Sequence, residues 1–358
     1  MKIAIIGGGN GGYAAAADLT NNGHEIYFWQ RSKISRDSLI KNKNIILMQD
    51  QKGKKRIKIH RICNTINTAI RNSEIIIILL PAFTQNYLAK KIKPHIQNNQ
   101  IILLPPGSFG SWIFMKEIKN KTISYAESGT LPYLTRKKNI NTIAITTRAS
   151  KLPTGIYSNE DHKKIIQKLK NIYPSIVYCG DILSGALMNA GPIIHPPLVI
   201  LNVGPLEHFS KWDIHNEGTQ KSIQKVMFEL DNERILIRKK LGYKSPHYPI
   251  KDHYANKGKK WMYGNLAHDK LVSSKDWRED ININSHRYVI EDIKEGLAFM
   301  NSLAEKLNIK VPITSSLLDI TSTILGSDIK KSGRTLSNLG VNFSLNKLKK
   351  ILSDKKWI

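Results

Sequence analysis

Acidic residues are scarce in this chain. Its 358 residues include 28 Asp and Glu against 55 Lys and Arg, which gives a formal net charge of +27. Such a charge suggests a nucleic-acid partner, because Lys and Arg neutralise phosphates. The basic residues are scattered along the whole chain, however, and the densest run, at 52–58, is expected on a surface hairpin. We therefore attribute the charge mainly to a compositional bias toward Lys, Ile and Asn and expect no nucleic-acid partner; the alternative is a real attraction for anionic ligands or membranes.

Cysteine and long apolar runs are also scarce. The two cysteines, Cys63 and Cys179, are too few for a disulfide framework, so a reducing compartment is expected. The first apolar run, at 3–6, is too short for the core of a secretion signal and stops at glycines. No apolar stretch approaches the length that spans a bilayer. These absences predict a cytoplasmic protein that is not attached to a membrane.

Short apolar runs alternate with helix-like stretches in the first half of the chain. The runs at 3–6, 25–29, 75–80 and 101–104 predict strands, and helical patterns lie between them, as at 84–96. This alternation predicts a doubly wound, mainly parallel sheet with helices on both faces, that is, an α/β domain.

Helical periodicity replaces the strand signals after about residue 180. Because a chain of this length exceeds one ordinary core, we expect two domains, an α/β domain over 1–181 and an all-α domain over 182–358. The segment 243–285 is rich in Gly, Pro, Asn, His and Lys and is expected to be an irregular excursion that covers a cleft. Long helical patterns occur at 183–202, 220–241, 289–307 and 313–325.

A glycine-rich turn follows the first predicted strand. Gly7, Gly9 and Gly12 satisfy the G-x-G-x-x-G pattern, with a strand before them, a helix after them and a second strand at the expected distance. The first glycine permits the tight turn, the second lets the backbone approach a pyrophosphate, and the third lets the helix pack closely on the strand. The pattern predicts a Rossmann-type domain that binds a dinucleotide.

The choice of dinucleotide depends on the end of the second strand. NAD sites usually carry Asp or Glu there, whereas this chain has Arg31 and Ser32 after Gln30. Arg and Ser suit a 2′-phosphate, so NADP is favoured over NAD; alternatively, Arg31 stacks on the adenine. We also assign Asn10, Gly11 and Pro81 to the cofactor-binding set.

A second group of candidate residues lies in the helical half. His195 is flanked by proline and lies near Asn189 and Asn202, which are polar residues in an otherwise apolar stretch. Reduction of a C=O or C=N bond needs a proton donor, and histidine titrates in the right range. We predict that Asp292 orients His195 and that Arg287 binds a substrate carboxylate through both of its amino groups.

The sequence resembles the octopine/nopaline (opine) dehydrogenase family over nearly its whole length. The order and spacing of its motifs carry the resemblance. These motifs are the glycine loop with Asn10, Pro105 to Gly110, Ala126 to Tyr133, His195-Pro196 with Asn202 and Gly204, Leu230 to Arg234, Arg287-Tyr288 with Glu291-Asp292, and Gly333 to Leu336.

The resemblance implies a reductive condensation. Members join the amino group of an amino acid to an α-keto acid and reduce the imine with NAD(P)H. It implies that His195 and Asp292 perform the proton transfers, that Arg287 holds a substrate carboxylate, and that Thr130 and Asn202 contact substrate. No metal is expected, and the oligomeric state stays open, with a homodimer as one option.

Two alternatives remain open. Glycerol-3-phosphate and ketopantoate reductase-like enzymes share the two-domain plan, but typically use a lysine where this chain has Met188. Methionine cannot donate a proton, whereas His195 is expected on the same helical face. A dinucleotide-binding sensor without turnover is the other alternative, although it would have no need of His195 and Asp292.

Overall fold

The computed structural model describes residues 1–119, 121–255 and 261–354, so 256–260 of the predicted excursion and the last four residues lie outside the described part. The described chain forms two compact units. The first comprises Met1–Leu80 and Thr84–Ala186, and the second comprises Pro81–Phe83 and the residues from Leu187 onward. The predicted domain limits, 1–181 and 182–358, stay a proposal.

The first unit is an α/β structure. Its strands are β1 (Lys2–Ile6), β2 (Glu25–Trp29), β3 (Ile45–Asp50), β4 (Gly53–Lys58), β5 (Arg61–Ile62), β6 (Ile75–Ile78), β7 (Ile101–Leu104), β8 (Ser124–Ser128), β9 (Tyr133–Asn139), β10 (Thr142–Arg148), β11 (Leu152–Tyr157) and β12 (Ile176–Tyr178). Its helices are α1 (Asn10–Asn21), α2 (Lys33–Lys41), α3 (Ile66–Ile70), α4 (Gln85–Ile92), α5 (Gly110–Glu117), α6 (His162–Ile172) and α7 (Ile182–Ala186). Short 3₁₀ turns cover Ala82–Thr84, which begins in the second unit, and Lys93–His95.

The main sheet has eight strands in the order β12-β11-β8-β7-β6-β1-β2-β5. Its pairs are parallel except for β8 with β11. The central strands are continuous runs of buried Ile and Leu, as expected for strands that are covered on both faces. The predicted fold class, a mainly parallel α/β domain followed by a helical one, is confirmed.

A second, four-stranded sheet, which the sequence patterns did not predict, has the order β4-β3-β10-β9. Strands β3 and β4 form an antiparallel hairpin that carries the densest basic run on exposed positions. Arg148 ties this sheet to α1, because its Nη2 lies 2.6 Å from Asp18 Oδ1 and 2.8 Å from Asp50 Oδ2.

The second unit is helical. Its α-helices are α8 (Gly191–Ile200), α9 (Val203–His208), α10 (Lys221–Lys240), α11 (Ala267–Ser273), α12 (Ala298–Lys306), α13 (Pro312–Leu325), α14 (Ile329–Ser332) and α15 (Leu345–Asp354). A 3₁₀ turn covers Ile250–His253, and a π-helix covers Tyr288–Leu297. None of the described helices is long and apolar enough to cross a membrane.

Two of the four long helical predictions match α-helices closely. A third, at 289–307, has the bounds of the π-helix followed by α12, and the fourth was wrong. The predictions at 220–241 and 313–325 correspond to α10 and α13. The pattern at 183–202 is not one helix, because a turn at 187–190 separates α7 from α8. Met188 therefore lies before α8 and shares no helical face with His195. The break has a local cause, since the Asn189 side chain accepts a hydrogen bond from the Gly191 N–H (3.0 Å) and proline occupies the first turn of α8.

Candidate functional site

The glycine loop between β1 and α1 has the geometry that its sequence predicts. Gly7 has φ +137°, and a Cβ there would lie 2.2 Å from the Leu79 carbonyl oxygen. A Cβ on Gly12 would lie 1.8 Å from the Gly7 carbonyl oxygen. Both positions therefore exclude larger residues because the protein backbone itself fills the space.

Gly9 differs from its neighbours, because it faces open space. A Cβ at this position would meet no atom within 4 Å. Gly9 is the N-cap of α1, and it provides no side-chain cap, while the first turn contains no acidic residue. The N–H groups at a helix start attract phosphate, and an acidic side chain there would compete with it. The loop therefore fits a pyrophosphate.

Buried polar contacts hold this loop in place. Gln30, which is 2% exposed, lies beneath Gly8 and donates to the Tyr13 hydroxyl (3.2 Å). Asn10 accepts a hydrogen bond from the backbone N–H of Lys137 (2.9 Å), which ties the start of α1 to β9. Gly11 packs against Leu131, whose Cδ1 would lie 2.7 Å from a Cβ.

The end of β2 exposes Arg31 and Ser32 to solvent. The Ser32 hydroxyl caps α2 and accepts a hydrogen bond from the Ser35 N–H (3.2 Å). The Arg36 guanidinium donates to the carbonyl oxygens of Gln30 (2.6 Å) and Arg31 (2.9 Å). The exposed Arg31, the Arg36 guanidinium and the start of α2 therefore all belong to this turn, which suits an anion.

The other predicted residue of the first unit, Thr130, follows β8 and is 8% exposed. Its carbonyl oxygen accepts a hydrogen bond from the Ser128 hydroxyl (2.9 Å). On the same strand, the fully buried Glu127 carboxylate accepts hydrogen bonds from the N–H groups of Phe109 and Ser111 and from the Ser111 hydroxyl. This carboxylate thereby fixes the loop that leads into α5.

His195 and Asp292 meet in the second unit. The Nδ1 atom of His195 lies 2.7 Å from Asp292 Oδ2, and the His195 side chain is 19% exposed. Among the described residues Nε2 has no protein hydrogen-bond partner. The carboxylate thus holds one ring nitrogen, and the other is available to a bound molecule.

Close packing of α8 against the π-helix makes this contact feasible. A Cβ on Gly191 would lie 2.2 Å from Asp292 Oδ1, and one on Gly296 would lie 2.1 Å from the Pro192 ring. Glycine at both positions lets the two helices approach closely. The π-helix is a rare structure that often occurs at functional sites.

The Tyr288 ring stacks on the His195 imidazole, with centroids 3.9 Å apart and planes inclined by 21°. The Tyr288 hydroxyl donates to Glu279 (3.1 Å). The His215 ring packs edge-on against His195, with centroids 5.8 Å apart. The imidazole is therefore held by two aromatic neighbours as well as by Asp292.

Arg287 forms an ion pair with Glu291, with Nη2 and Oε2 2.9 Å apart. The Arg287 side chain is 57% exposed, whereas that of Glu291 is 8% exposed. Burial raises the pKa of the Glu291 carboxyl, while Arg287 acts in the opposite direction. The guanidinium is thus anchored on one side and open to solvent on the other.

Asn202 and Pro81 complete the set of predicted residues. The Asn202 side-chain amide donates to the carbonyl oxygens of Leu198 (2.8 Å) and Gly218 (3.0 Å) and accepts a hydrogen bond from Trp212 (3.2 Å). These contacts fix the turn between α8 and α9, so a contact of Asn202 with substrate stays a prediction. Pro81 follows β6 and belongs to the second unit.

Sequence reasoning missed the roles of Tyr288 and His215. The role of Tyr288 could have been predicted, because Tyr288 adjoins Arg287 in a motif that carries the family resemblance. His215 had no local signal, since a histidine in a polar stretch is ordinary. No group of three His, Cys, Asp or Glu side chains in the described ranges is arranged to hold a metal ion.

Two family models match separate parts of the chain. Residues 178–325 match the family model of the NAD/NADP octopine/nopaline dehydrogenase α-helical domain. Residues 2–125 match the model of the NAD-dependent glycerol-3-phosphate dehydrogenase N-terminus. The chain is similar to an opine dehydrogenase of Arthrobacter sp. (strain 1C), at 23% identity over 348 residues and 95% of each chain.

Solved structures share the fold. Octopine dehydrogenase in complex with NADH and agmatine aligns with a TM-score of 0.75 at 16% identity, covering 99% of this chain and 98% of that one. NADP⁺-bound yersinopine dehydrogenase aligns with a TM-score of 0.68 at 13% identity, with the same coverage of 99% and 98%. The match to the helical-domain model and the relative over 95% of the chain support a place in the opine dehydrogenase family of NAD(P)-dependent oxidoreductases, and the solved structures share the fold.

Proposed function

We propose that this protein is an NAD(P)H-dependent opine dehydrogenase, which acts on CH–NH bonds. In the reductive direction an amino acid, an α-keto acid, NAD(P)H and a proton give an N-(carboxyalkyl) amino acid, NAD(P)⁺ and water. The observation that carries the proposal is the His195–Asp292 pair, in which Nδ1 is bound at 2.7 Å and Nε2 has no protein partner in the described chain.

The loop from Gly7 to Gly12 would hold the pyrophosphate of the cofactor. The open face of Gly9 and the uncapped start of α1 support this assignment. Asn10, Gly11 and Pro81 remain in the proposed binding set, with Gly11 packed against Leu131. When bound, the reduced nicotinamide supplies the hydride.

We favour NADP over NAD. The second strand ends without a carboxylate, and Arg31 and Ser32 are exposed at the start of α2. A 2′-phosphate would find a guanidinium, a hydroxyl and helix N–H groups there, whereas a carboxylate would repel it.

His195 performs the proton transfer in this proposal. Protonated at Nε2, it donates a proton to the departing hydroxyl as the amine and the keto acid lose water. Asp292 stabilises the imidazolium and fixes the ring, and Tyr288 covers one face of it. In the reverse direction the neutral imidazole accepts the proton.

Arg287 binds a carboxylate of the substrate. Its guanidinium is exposed on the side that Glu291 does not occupy. An arginine fork holds a carboxylate through two parallel hydrogen bonds and so orients it. Thr130 and Asn202 complete the proposed substrate contacts.

The test is the oxidation of NAD(P)H with matrices of amino acids and α-keto acids. Oxidation that requires both partners is expected. Oxidation with a keto compound alone would favour the reductase alternative, and cofactor binding without oxidation would favour a sensor. His195→Ala should lower turnover by roughly 10²–10⁴-fold with nearly unchanged cofactor affinity; wild-type turnover would contradict its assigned role.

A further inference from the structure

Both backbone groups of Ala82 are bound by charged side chains. The Ala82 N–H donates to Glu291 Oε1 (3.3 Å), and its carbonyl oxygen accepts a hydrogen bond from Arg334 Nη2 (3.0 Å). Ala82 is 2% exposed, so water cannot replace either bond. Hydrogen bonds to charged groups are the stronger kind, and these two hold the segment Pro81–Phe83 from both sides.

The Glu291 carboxylate also contacts Arg287. Its other oxygen, Oε2, forms the ion pair with Arg287 at 2.9 Å. The next residue, Asp292, binds His195. One short stretch of the π-helix therefore holds the proposed substrate arginine, the proposed proton donor and the segment that contains Pro81.

Arg334 is held by contacts of its side chain and of its backbone. Its guanidinium lies 2.6 Å from Glu295 Oε2, and its backbone N–H donates to the Lys294 carbonyl oxygen (2.8 Å). The preceding Gly333 packs so closely that a Cβ would lie 2.5 Å from the Lys294 carbonyl oxygen. These contacts give the motif Gly333 to Leu336 a structural purpose, which is to present one guanidinium to the Ala82 carbonyl.

We propose that Glu291 and Arg334 are positioning residues for the condensation. Glu291 orients Arg287 toward the substrate carboxylate and, together with Arg334, fixes the Ala82 backbone next to Pro81. The proposal rests on the function proposed above for Arg287 and Pro81. Glu291 acts in two ways that can be separated. Its charge attracts Arg287, whereas its Oε1 atom accepts the hydrogen bond from the Ala82 N–H.

Two substitutions at Glu291 distinguish these effects. Glu291→Gln removes the charge and keeps an acceptor for the Ala82 N–H. It should raise the KM for one substrate, the one whose carboxylate Arg287 holds, about tenfold, with kcat within about twofold and the Kd for NAD(P)H unchanged, since one charge-assisted contact is lost. Glu291→Ala removes both contacts and should also weaken cofactor binding. Arg334→Lys should weaken cofactor binding and leave the KM values for both substrates near the wild-type values.

Asp319→Asn is the matched control. It also converts a carboxylate to an amide, but its partner is Lys330 on the surface (2.6 Å). The control should leave both constants unchanged. Unchanged KM values for both substrates in Glu291→Gln would contradict the proposal that Glu291 orients Arg287.

Amide hydrogen exchange tests the contact with Ala82 without any turnover. The Ala82 amide should exchange faster in Glu291→Ala than in the wild type and Asp319→Asn, because an unbonded amide is no longer protected. Equal exchange in all three proteins would contradict the proposed hold of Glu291 on the Ala82 backbone. If the wild type shows no oxidation that requires both substrates, the proposed function fails, while this exchange measurement still decides whether Glu291 holds Ala82.

Discussion

Replacement of Gly9 by valine should abolish dinucleotide binding and spare the fold. Gly9 has φ −81° and ψ −172°, a conformation that any residue adopts. A Cβ there would meet no protein atom within 4 Å, so valine causes no clash in the protein. Its side chain would instead occupy the space that we assign to the pyrophosphate.

The size of the effect follows from the contacts that would be lost. A phosphate at the start of α1 is expected to accept at least two backbone hydrogen bonds, each worth about 1.5–3 kcal/mol for a charged partner. Their loss amounts to about 3–6 kcal/mol, or roughly 10²–10⁴-fold in affinity. The stability of the exposed loop should change by no more than about 0.5 kcal/mol.

Fluorescence titration with NAD(P)H and thermal unfolding measure the two quantities. Gly12→Val is the contrasting variant, because its Cβ would lie 1.8 Å from the Gly7 carbonyl oxygen and should destabilise the protein itself. Tight NAD(P)H binding by a folded Gly9→Val protein would refute the assignment of this loop.

Three further predictions concern specificity, catalysis and pH. Arg31→Ala should weaken the binding of NADPH more than that of NADH, by about 1.5–3 kcal/mol in titrations. Equal losses of affinity for the two cofactors would mean that Arg31 only stacks on the adenine. Asp292→Asn should lower kcat, since the imidazolium loses its counter-charge and the ring loses the contact that orients it; a wild-type kcat would count against the pair. Burial, assisted by His268, lowers the pKa of His253 to about 3. The unfolded chain binds this proton below about pH 6.5 and the folded chain does not, so stability should fall as the pH drops from about 6.5 toward 3. His253→Phe should reduce that loss by about 2 kcal/mol at pH 5 in denaturant titrations, and an identical slope would contradict the burial argument.

The first half of the fold could be predicted because its signals are local. The apolar runs of β2 and β7 have the predicted bounds, and the glycines of the first turn are required by contacts with their immediate surroundings. A buried parallel strand is visible in sequence as a short continuous apolar run.

The small sheet escaped prediction because it depends on a distant pairing. Strand β10 pairs in parallel with β3, with Thr142 opposite Leu47. The sequence of neither strand indicates which other strand it pairs with. The break before α8 was also missed, because helical periodicity does not distinguish one long helix from two. The π-helix was missed because the same periodicity does not distinguish an α-helix from the wider π-helix.

The candidate site was predictable in its residues and not in their arrangement. His195 and Asp292 were paired by motif spacing, and the structure adds the 2.7 Å contact. The stacking of Tyr288 and the contact of Glu291 with Ala82 arise from tertiary packing between distant positions. Such contacts leave no periodic trace in the sequence.

Transfer of deuterium from labelled cofactor tests the central proposal most directly. The enzyme is incubated with NAD(P)H deuterated on the transferred position, an amino acid and an α-keto acid, and the products are analysed by mass spectrometry. The proposal predicts a secondary amine that contains both substrates, has lost one water and carries one deuterium on the former keto carbon. A deuterated hydroxy acid beside unchanged amino acid would contradict it.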